Sequence, residues 1–290
     1  MNKITISFIL VLLSITVRAQ NLLKLPQVSP RAVLNYTVGV TDITINYGAP
    51  GVKNRAVWGK LVPYGQVWRA GANEATTIKF STDVRITQEK IPAGTYTLYV
   101  LPVDSSNWTF ILSKQKGLWG TEGYDSKQDL IRLPFSPQPA PFHETLQYTI
   151  QDITPNGGRL TLNWADKQLA VPIRVESHKE TMNLIKESLQ KSQPTDWMVY
   201  AQAVNYLIQQ NQDHEQALQW VNKSITIEEN FYNIWLKAKL LAQKNEYAEA
   251  LELNKKAQKL GKKSLESYQT YANEIEDAAV LWKEKRFTVN

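Results

Sequence analysis

The 290-residue sequence predicts two structural classes in one chain, an antiparallel β-sandwich or jelly-roll-like domain followed by an α-helical array. Before residue 177, β-branched and aromatic residues alternate with polar ones in short runs, which is the period of half-buried strands. After residue 177, apolar residues recur at the three- and four-residue spacing of a helix. A short motif in the helical part also recurs 33 residues later. We therefore expect a β-domain at 20–177 and a helical domain at 178–290.

The β-domain is predicted from runs that are bounded by glycine, proline, asparagine and aspartate. The predicted strands are 42–47, 76–80, 95–100, 108–112, 145–150, 160–164 and 169–175. Asn156-Gly157-Gly158 predicts a hairpin turn between two of them. Four prolines between 134 and 141 are expected to keep that connection extended and outside the ladder of strand hydrogen bonds.

The helical part carries four apolar faces and a final helix. Glu215-Gln216-Ala217-Leu218 aligns with Ala248-Glu249-Ala250-Leu251 at an offset of 33 residues. This pattern resembles tetratricopeptide repeats, whose period is about 34 residues and which commonly present a groove to a peptide or protein. Gly261 is expected to cap one helix, and a last helix over 264–286 to close the array. The alternative is that the helices cover one side of the sandwich or mediate dimerisation.

The N-terminus has the features of a cleaved leader. A basic residue, Lys3, precedes the ten-residue apolar run from Phe8 to Val17, and small residues precede a cut near Ala19. Ten apolar residues are too few to span a bilayer, which needs about 20. We expect a signal peptide at 1–19, export to the periplasm or exterior, and no integral membrane segment. Because the chain has no cysteine, no disulfide framework is available.

The most informative stretch is residues 47–76, here called the cationic aromatic segment. It contains Lys53, Arg55, Lys60 and Arg69, and no acidic residue lies between Asp42 and Glu74. Long irregular segments in compact domains are functional or disordered, and the tryptophan content favours an ordered, functional one. The predicted ligand contacts here are Arg55, Trp58, Lys60, Tyr64, Trp68, Arg69, Asn73 and Glu74. The net charge of the chain without its leader, +4, lies entirely in residues 20–177. This modest charge disfavours nucleic acid and is compatible with an acidic small molecule, an acidic glycan or the envelope surface. The alternative is a mildly basic surface with no partner.

Glu74 is the one candidate for catalysis. A carboxylate among basic and aromatic residues can act as a general acid or base, or it can form an ion pair with Arg55 or Arg69 that fixes the segment. A glycosidase would need a second carboxylate, for which Asp125, Asp129 and Glu144 are the candidates.

A second loop, residues 114–124, carries Trp119 and Tyr124 among three glycines. Such aromatic residues either stack on a sugar ring or fold back over the core. The three histidines are widely separated, so no metal site is expected and no cofactor motif is present.

A longer string resembles a known family. Arg55-x-x-Trp58-Gly59-x-Leu61-Val62-Pro63-Tyr64-Gly65-x-Val67-Trp68-Arg69-x-Gly71-Ala72-Asn73-Glu74-Ala75-Thr76 is similar to the hallmark of domain-of-unknown-function family 2911, a secreted bacterial family best known from Bacteroidetes. Pro92-Ala93-Gly94-x-Tyr96 and Trp119-Gly120 extend the resemblance to about residues 28–175. It implies an exported β-domain and adds no activity. The resulting expectation is a non-catalytic binding or interaction protein of the envelope, with an envelope enzyme acting on glycans through Glu74 as the alternative.

Overall fold

The chain folds into two compact units, and the boundary between them along the sequence lies between Val175 and Glu176. The structure, a computed structural model, describes residues 25–263 and 265–288, so the predicted signal peptide lies outside the described residues. The predicted order, an antiparallel β-domain and then a helical array, is confirmed. Within the described ranges, no helix is both long and apolar enough to cross a membrane.

The first unit contains two antiparallel sheets. The six-stranded sheet has the order β1-β2-β3-β6-β7-β8 and the four-stranded sheet the order β5-β4-β10-β9. The strands are β1 (Arg31–Val38), β2 (Thr41–Gly48), β3 (Ala72–Phe80), β4 (Val84–Ile86), β5 (Glu89–Ile91), β6 (Gly94–Pro102), β7 (Trp108–Ser113), β8 (Asp129–Phe135), β9 (Gln138–Thr154) and β10 (Gly157–Val175).

A single hydrophobic core lies between the sheets. Ile43 and Leu98 of the six-stranded sheet and Leu160 and Ile173 of the four-stranded sheet are almost completely buried in one cluster. The alternating burial of β2 explains why the period-two pattern predicted this strand. β10 joins two predicted strands into one long strand, and the predicted hairpin turn connects it to β9.

The expectation that the prolines stay out of the ladder was wrong. Pro134 of β8 pairs with Thr109 of β7, and Pro139 of β9 pairs with Lys167 of β10. β8 and β9 are each an edge strand of their sheet. An edge strand has one unpaired side, so it tolerates a residue without an N–H donor.

The second unit contains helices at the predicted period. They are α1 (Ser177–Lys191), α2 (Trp197–Gln210), α3 (His214–Ile227), α4 (Phe231–Gln243), α5 (Tyr247–Gly261), α6 (Leu265–Gln269) and α7 (Ala272–Thr288). α4 begins 34 residues after α2, and α5 begins 33 residues after α3. These spacings agree with the tetratricopeptide-like interpretation.

Two details of the array differ from expectation. The final helix is interrupted between Gln269 and Ala272, giving α6 and α7. Gly261 is the last residue of α5 rather than a left-handed cap beyond it, and a Cβ there would clash with the ring of Tyr268. The glycine therefore lets α6 pack closely on α5.

Candidate functional site

The cationic aromatic segment is ordered and tied to both sheets. Its irregular part runs between the end of β2 and the start of β3. Val52 N–H donates to the Glu144 carbonyl of β9 at 2.7 Å. Trp68 and Val100 of β6 exchange backbone hydrogen bonds of 2.8 and 2.9 Å. These anchors hold an otherwise irregular stretch in one position without a regular ladder.

Four tryptophans form a cluster beneath the segment. Trp58 contacts Trp68, Trp108 and Trp164 with ring centroids 5.8, 4.5 and 5.8 Å apart, and Trp68 stacks on Trp164 at 5.7 Å. Trp108 and Trp164 are buried, while Trp58 and Trp68 are half-buried. Trp58, predicted as a ligand contact, thus contributes mainly to this aromatic cluster, whereas Trp68 also borders the cleft described next.

A cleft of about 420 Å³ opens beside this cluster. We call it the cationic cleft because Lys53, Arg55 and Arg69 line it together with Trp68 and Trp164. The described residues that line it include no aspartate or glutamate. The carboxylate of Glu144 contacts one lining residue, because its Oε1 accepts the backbone N–H of Lys53 at 2.9 Å.

The two arginines of the cleft are held differently. The guanidinium of Arg55 donates from Nε to the Val52 carbonyl at 3.0 Å and from Nη2 to the Gly51 carbonyl at 2.7 Å. Arg69 is half-buried, and its Nε is buried without a hydrogen-bond partner among the described residues. A Cβ on Gly120 would lie 2.8 Å from Arg69 Nη1, so the guanidinium lies against this glycine. Arg69 is thus a partly desolvated cation with an unsatisfied donor.

The backbone around the cleft adopts unusual conformations. Lys53, Asn54, Ala70 and Asn73 all have positive φ, between 51° and 62°. Such conformations are uncommon for residues with a Cβ and persist where surrounding contacts enforce them. At Ala70 the backbone carbonyl accepts hydrogen bonds from the buried Tyr148 hydroxyl at 2.8 Å and from the Thr76 hydroxyl at 3.1 Å. Backbone strain of this kind concentrates at binding and active sites.

Asn73 belongs to the cationic cleft, and its side chain is fixed. Its side-chain Nδ2 donates to the Ser29 backbone carbonyl at 3.1 Å. The backbone carbonyl of Asn73 accepts the Gly120 N–H at 3.2 Å. Asn73 therefore joins the cleft to the second predicted loop.

The predicted ion pair of Glu74 with Arg55 or Arg69 was wrong. Glu74 is exposed, and among the described residues it has no ion pair within 4.0 Å. It lines a separate cleft of about 150 Å³, here called the Glu74 cleft, with Arg31 and Asn46. The reason is local geometry, because Glu74 is exposed on β3 while Arg69 lies in the preceding irregular segment against Gly120.

The candidate second carboxylates have other partners. Asp125 accepts the Lys127 N–H, Asp129 binds Tyr124 and Arg132, and Glu144 binds Lys53 N–H. None of these acids is among the described residues that line the Glu74 cleft. Among the described residues that line the Glu74 cleft, Glu74 thus lacks the second carboxylate that a glycosidase requires.

Lys60, Tyr64 and Trp119 lie outside the lining of the cationic cleft. Lys60 is exposed, and the ring of Tyr64 packs over Gly59 while remaining 38% exposed. Trp119 is 63% exposed and pairs with Glu74 in an isolated antiparallel bridge. Of the two alternatives for Trp119, folding back over the core is therefore excluded.

Tyr124 belongs to a third cluster. Its hydroxyl donates to Asp129 Oδ2 at 2.5 Å and accepts from Arg132 Nη1 at 2.8 Å, while Arg132 Nη1 also lies 2.7 Å from Asp129 Oδ2. Its ring meets Tyr99 edge to face at 5.0 Å. Burial, together with the hydrogen bond and charge of Asp129, raises the pKa of Tyr124 to about 12. In this cluster the charge of Arg132 is paired with Asp129, while Asp129 Oδ1 is buried without a hydrogen-bond partner among the described residues.

The lining residues that the sequence analysis did not predict as contacts include Lys53, Trp164 and Arg31. Lys53 was seen as a charge of the segment and was not assigned to the site, although it borders the cationic cleft. Trp164 and Arg31 lie on strands far from the segment in sequence, and no local pattern singles them out. Within the described part of the chain, no three His, Asp or Glu side chains are grouped to hold a metal ion.

Comparison with known proteins identifies one family. Residues 29–173 match the model of the family described as "Protein of unknown function (DUF2911)". No curated protein and no solved structure matches the chain. Because the match covers half of the 290 residues and contains the whole cationic aromatic segment, the chain belongs to this family.

Proposed function

We propose that this protein is a non-catalytic binding protein whose β-unit holds an anionic ligand, an acidic small molecule or acidic glycan, in the cationic cleft. The observation that carries the proposal is the charge of the cleft. Lys53, Arg55 and Arg69 line it, and the described lining contains no acid.

Electrostatics favours an anion in such a place. Three like charges around one concave surface repel each other, and low-dielectric walls strengthen the field. Arg69 adds a buried Nε that lacks an acceptor, which costs free energy unless a ligand or solvent satisfies it. A carboxylate, sulfate or phosphate would reduce both the repulsion among the three cations and the cost of the unsatisfied Arg69 Nε. Guanidinium groups bind such anions through two parallel hydrogen bonds.

The walls suit a small organic ligand. The half-buried Trp68 provides an apolar surface beside the charges, with the buried Trp164 behind it, and Asn73 adds an amide. A cleft of about 420 Å³ is within the size range of small-molecule sites, which combine an apolar lining with a few placed polar groups.

Export and a second partner complete the proposal. The leader expected at 1–19 supports delivery to the periplasm or exterior. The repeat-like helices α2 to α5 are of the kind that present a surface to a peptide or protein. We assign them a protein partner.

The test is a binding measurement on the chain from residue 20 onward. Citrate, phosphate, sulfate, glucuronic acid and galacturonic acid are titrated by calorimetry against the wild type, Arg69→Met and Lys60→Met. Lys60→Met is the matched control, because this substitution removes one positive charge from the same segment at a residue that does not line the cleft.

We expect at least one of these anions to bind, with a tenfold or greater loss in Arg69→Met and a change below twofold in Lys60→Met. A tenfold loss corresponds to about 1.4 kcal/mol. Equal losses in the two variants would indicate a diffuse charge effect, and the absence of binding by every anion would overturn the proposal.

A further inference from the structure

The backbone that carries Arg69 is held on both sides of this residue. Trp68, which precedes it, exchanges backbone hydrogen bonds of 2.8 and 2.9 Å with Val100 of β6. Ala70, which follows it, is fully buried and has a φ of +52°. This left-handed conformation is unfavourable for alanine, so it persists only where surrounding contacts enforce it.

Three hydrogen bonds meet at Arg69 and Ala70. The Ala70 carbonyl accepts the Tyr148 hydroxyl at 2.8 Å and the Thr76 hydroxyl at 3.1 Å. The Thr76 N–H donates to the Arg69 carbonyl at 3.3 Å. Because Thr76 lies on β3 and Tyr148 on β9, both sheets contribute to holding this part of the backbone.

Tyr148 is itself fixed in position. It is buried, and its ring meets the ring of Tyr47 edge to face at 4.8 Å. The Tyr148 N–H also donates to the Tyr47 hydroxyl at 3.4 Å. A phenylalanine at position 148 would therefore keep the ring contact and remove only the hydroxyl that reaches Ala70.

The glycine after Ala70 allows the Thr76 hydroxyl to approach. A Cβ on Gly71 would lie 2.7 Å from Thr76 Oγ1, and the Gly71 carbonyl accepts Trp68 Nε1 at 3.2 Å. Residues 68–71 thus form a tight turn with hydrogen bonds on each side of Arg69. The guanidinium of Arg69 extends from this turn to line the cationic cleft.

We propose that Tyr148 and Thr76 are positioning residues for Arg69. Their hydroxyl groups hold the Ala70 carbonyl, and thereby hold the Arg69 guanidinium in the place where it binds the anion. This assignment rests on the proposed function, since Arg69 is the group that contacts the ligand. Neither Tyr148 nor Thr76 is among the described residues that line the cationic cleft, so their effect on a ligand passes through Arg69. Guanidinium hydrogen bonds are directional, so a small displacement is enough to weaken them.

The first test compares Tyr148→Phe with Tyr96→Phe in the chain from residue 20 onward. Tyr96 is the matched control, because it is also a buried tyrosine whose hydroxyl donates to a backbone carbonyl, that of Pro92, at 2.8 Å. Tyr96 does not line the cationic cleft. Calorimetry measures the affinity of each protein for citrate, phosphate, sulfate, glucuronic acid and galacturonic acid, and urea titration shows that each is folded.

We expect Tyr148→Phe to weaken the binding of the anion that the wild type binds by at least fivefold, and Tyr96→Phe to change it by less than twofold. In an Arg69→Met background, Tyr148→Phe should change the remaining affinity by less than twofold, because a positioning residue acts only through the group that it positions. Equal losses with and without Arg69 would overturn the inference, since they would indicate a general effect on the fold.

A second measurement needs no ligand. The Nε of Arg69 is buried without an acceptor among the described residues, so the exchange of its hydrogen with solvent, followed by NMR, shows whether the guanidinium keeps its place. We expect exchange at least fivefold faster in Tyr148→Phe and in Thr76→Val. It should be unchanged in Tyr96→Phe and in Thr161→Val, which removes a buried hydroxyl of β10. Unchanged exchange in both Tyr148→Phe and Thr76→Val would overturn the inference.

The two measurements separate this inference from the proposed function. If an anion binds the wild type and binds Tyr148→Phe equally well, the inference fails and the proposed function stands. If none of the five anions binds the wild type, the proposed function fails, and the exchange of the Arg69 Nε hydrogen still decides whether Tyr148 and Thr76 hold the guanidinium.

Discussion

Arg69 and Arg132 are the same residue type in two clusters of one β-unit, and their surroundings differ sharply. Arg132 lies 2.7 Å from Asp129, whose side chain is only 3% exposed, and also donates to Tyr124. Arg69 has no ion pair among the described residues, and its Nε is buried without an acceptor. The first arginine is neutralised by a buried carboxylate of the protein, whereas the second has no such partner among the described residues.

This difference teaches how to separate a structural charge from a binding charge. A charge that stabilises the fold is paired and hydrogen-bonded when it is buried. A charge that serves a ligand is held in place at some cost in stability, so its removal affects binding more than folding. The following predictions test this distinction, beginning with the largest expected effect.

Arg132→Met is expected to lower the free energy of unfolding by roughly 3 kcal/mol, because it leaves the Asp129 carboxylate buried with only the Tyr124 hydroxyl as its partner. Urea titration of the chain from residue 20 onward, followed by circular dichroism, measures the change. Lys79→Met, at an exposed position of β3 in the same sheet, is the control. A loss below about 0.5 kcal/mol, the range of ordinary surface substitutions, would contradict the structural role of this cluster.

Gly120→Ala and Gly117→Ala form a matched pair in one loop. Both glycines have positive φ, +69° and +75°, so each alanine should cost about 1 kcal/mol of stability. Only at position 120 does the new Cβ meet a neighbour, Arg69 Nη1 at 2.8 Å, while nothing lies within 4 Å of position 117. Anion affinity should therefore fall in Gly120→Ala and persist in Gly117→Ala. Equal affinities would show that the position of the Arg69 guanidinium is unimportant.

The Tyr124 network is expected to weaken at high pH. The folded pKa, about 12, is above the ordinary value of 10, so folding favours the protonated hydroxyl. This contribution is complete below pH 10 and is lost as the pH rises from 10 to 12. Comparing the wild type with Tyr124→Phe by denaturation at pH 8 and pH 11 separates the contribution of Tyr124 from that of the other tyrosines, which both proteins share. The wild type should lose more stability over this interval, and parallel losses in the two proteins would contradict the raised pKa of Tyr124.

Arg69→Met and Glu74→Gln are expected to change the free energy of unfolding by less than about 0.5 kcal/mol. Glu74 is exposed and unpaired among the described residues, and Arg69 has no acid that its removal would strand. The same urea titration measures both variants beside Arg132→Met. A loss of 2 kcal/mol or more in either variant would return the cationic aromatic segment to a structural role.

Sequence patterns predicted β2, β3, β6, β7, β10 and part of β9, and missed β1, β4, β5 and β8. β2 alternates between buried and more exposed positions and was predicted, whereas β1 and β8 lie at the edges of their sheet with fewer buried residues. β9 also carries prolines that local rules assign to a loop.

The candidate site was predicted in the same uneven way. The charge and tryptophan content of residues 47–76 marked the segment, and Arg55, Trp68, Arg69 and Asn73 line the cationic cleft as a group. The pairing of Glu74 with an arginine was wrong, because closeness in sequence does not set the direction of a side chain on a strand.

By itself, the sequence determined the class of each half, through the periods of its apolar residues, and the excess positive charge of the first half. Both are properties of short stretches, since a side chain's face follows from a repeat of two or of 3.6 residues. Only the tertiary structure decided that Trp68 stacks on Trp164, that Arg69 lies against Gly120, and that Arg132 is neutralised. The first two contacts join residues far apart in the chain, and all three depend on side-chain directions and burial that follow from strand pairing, which no local pattern specifies.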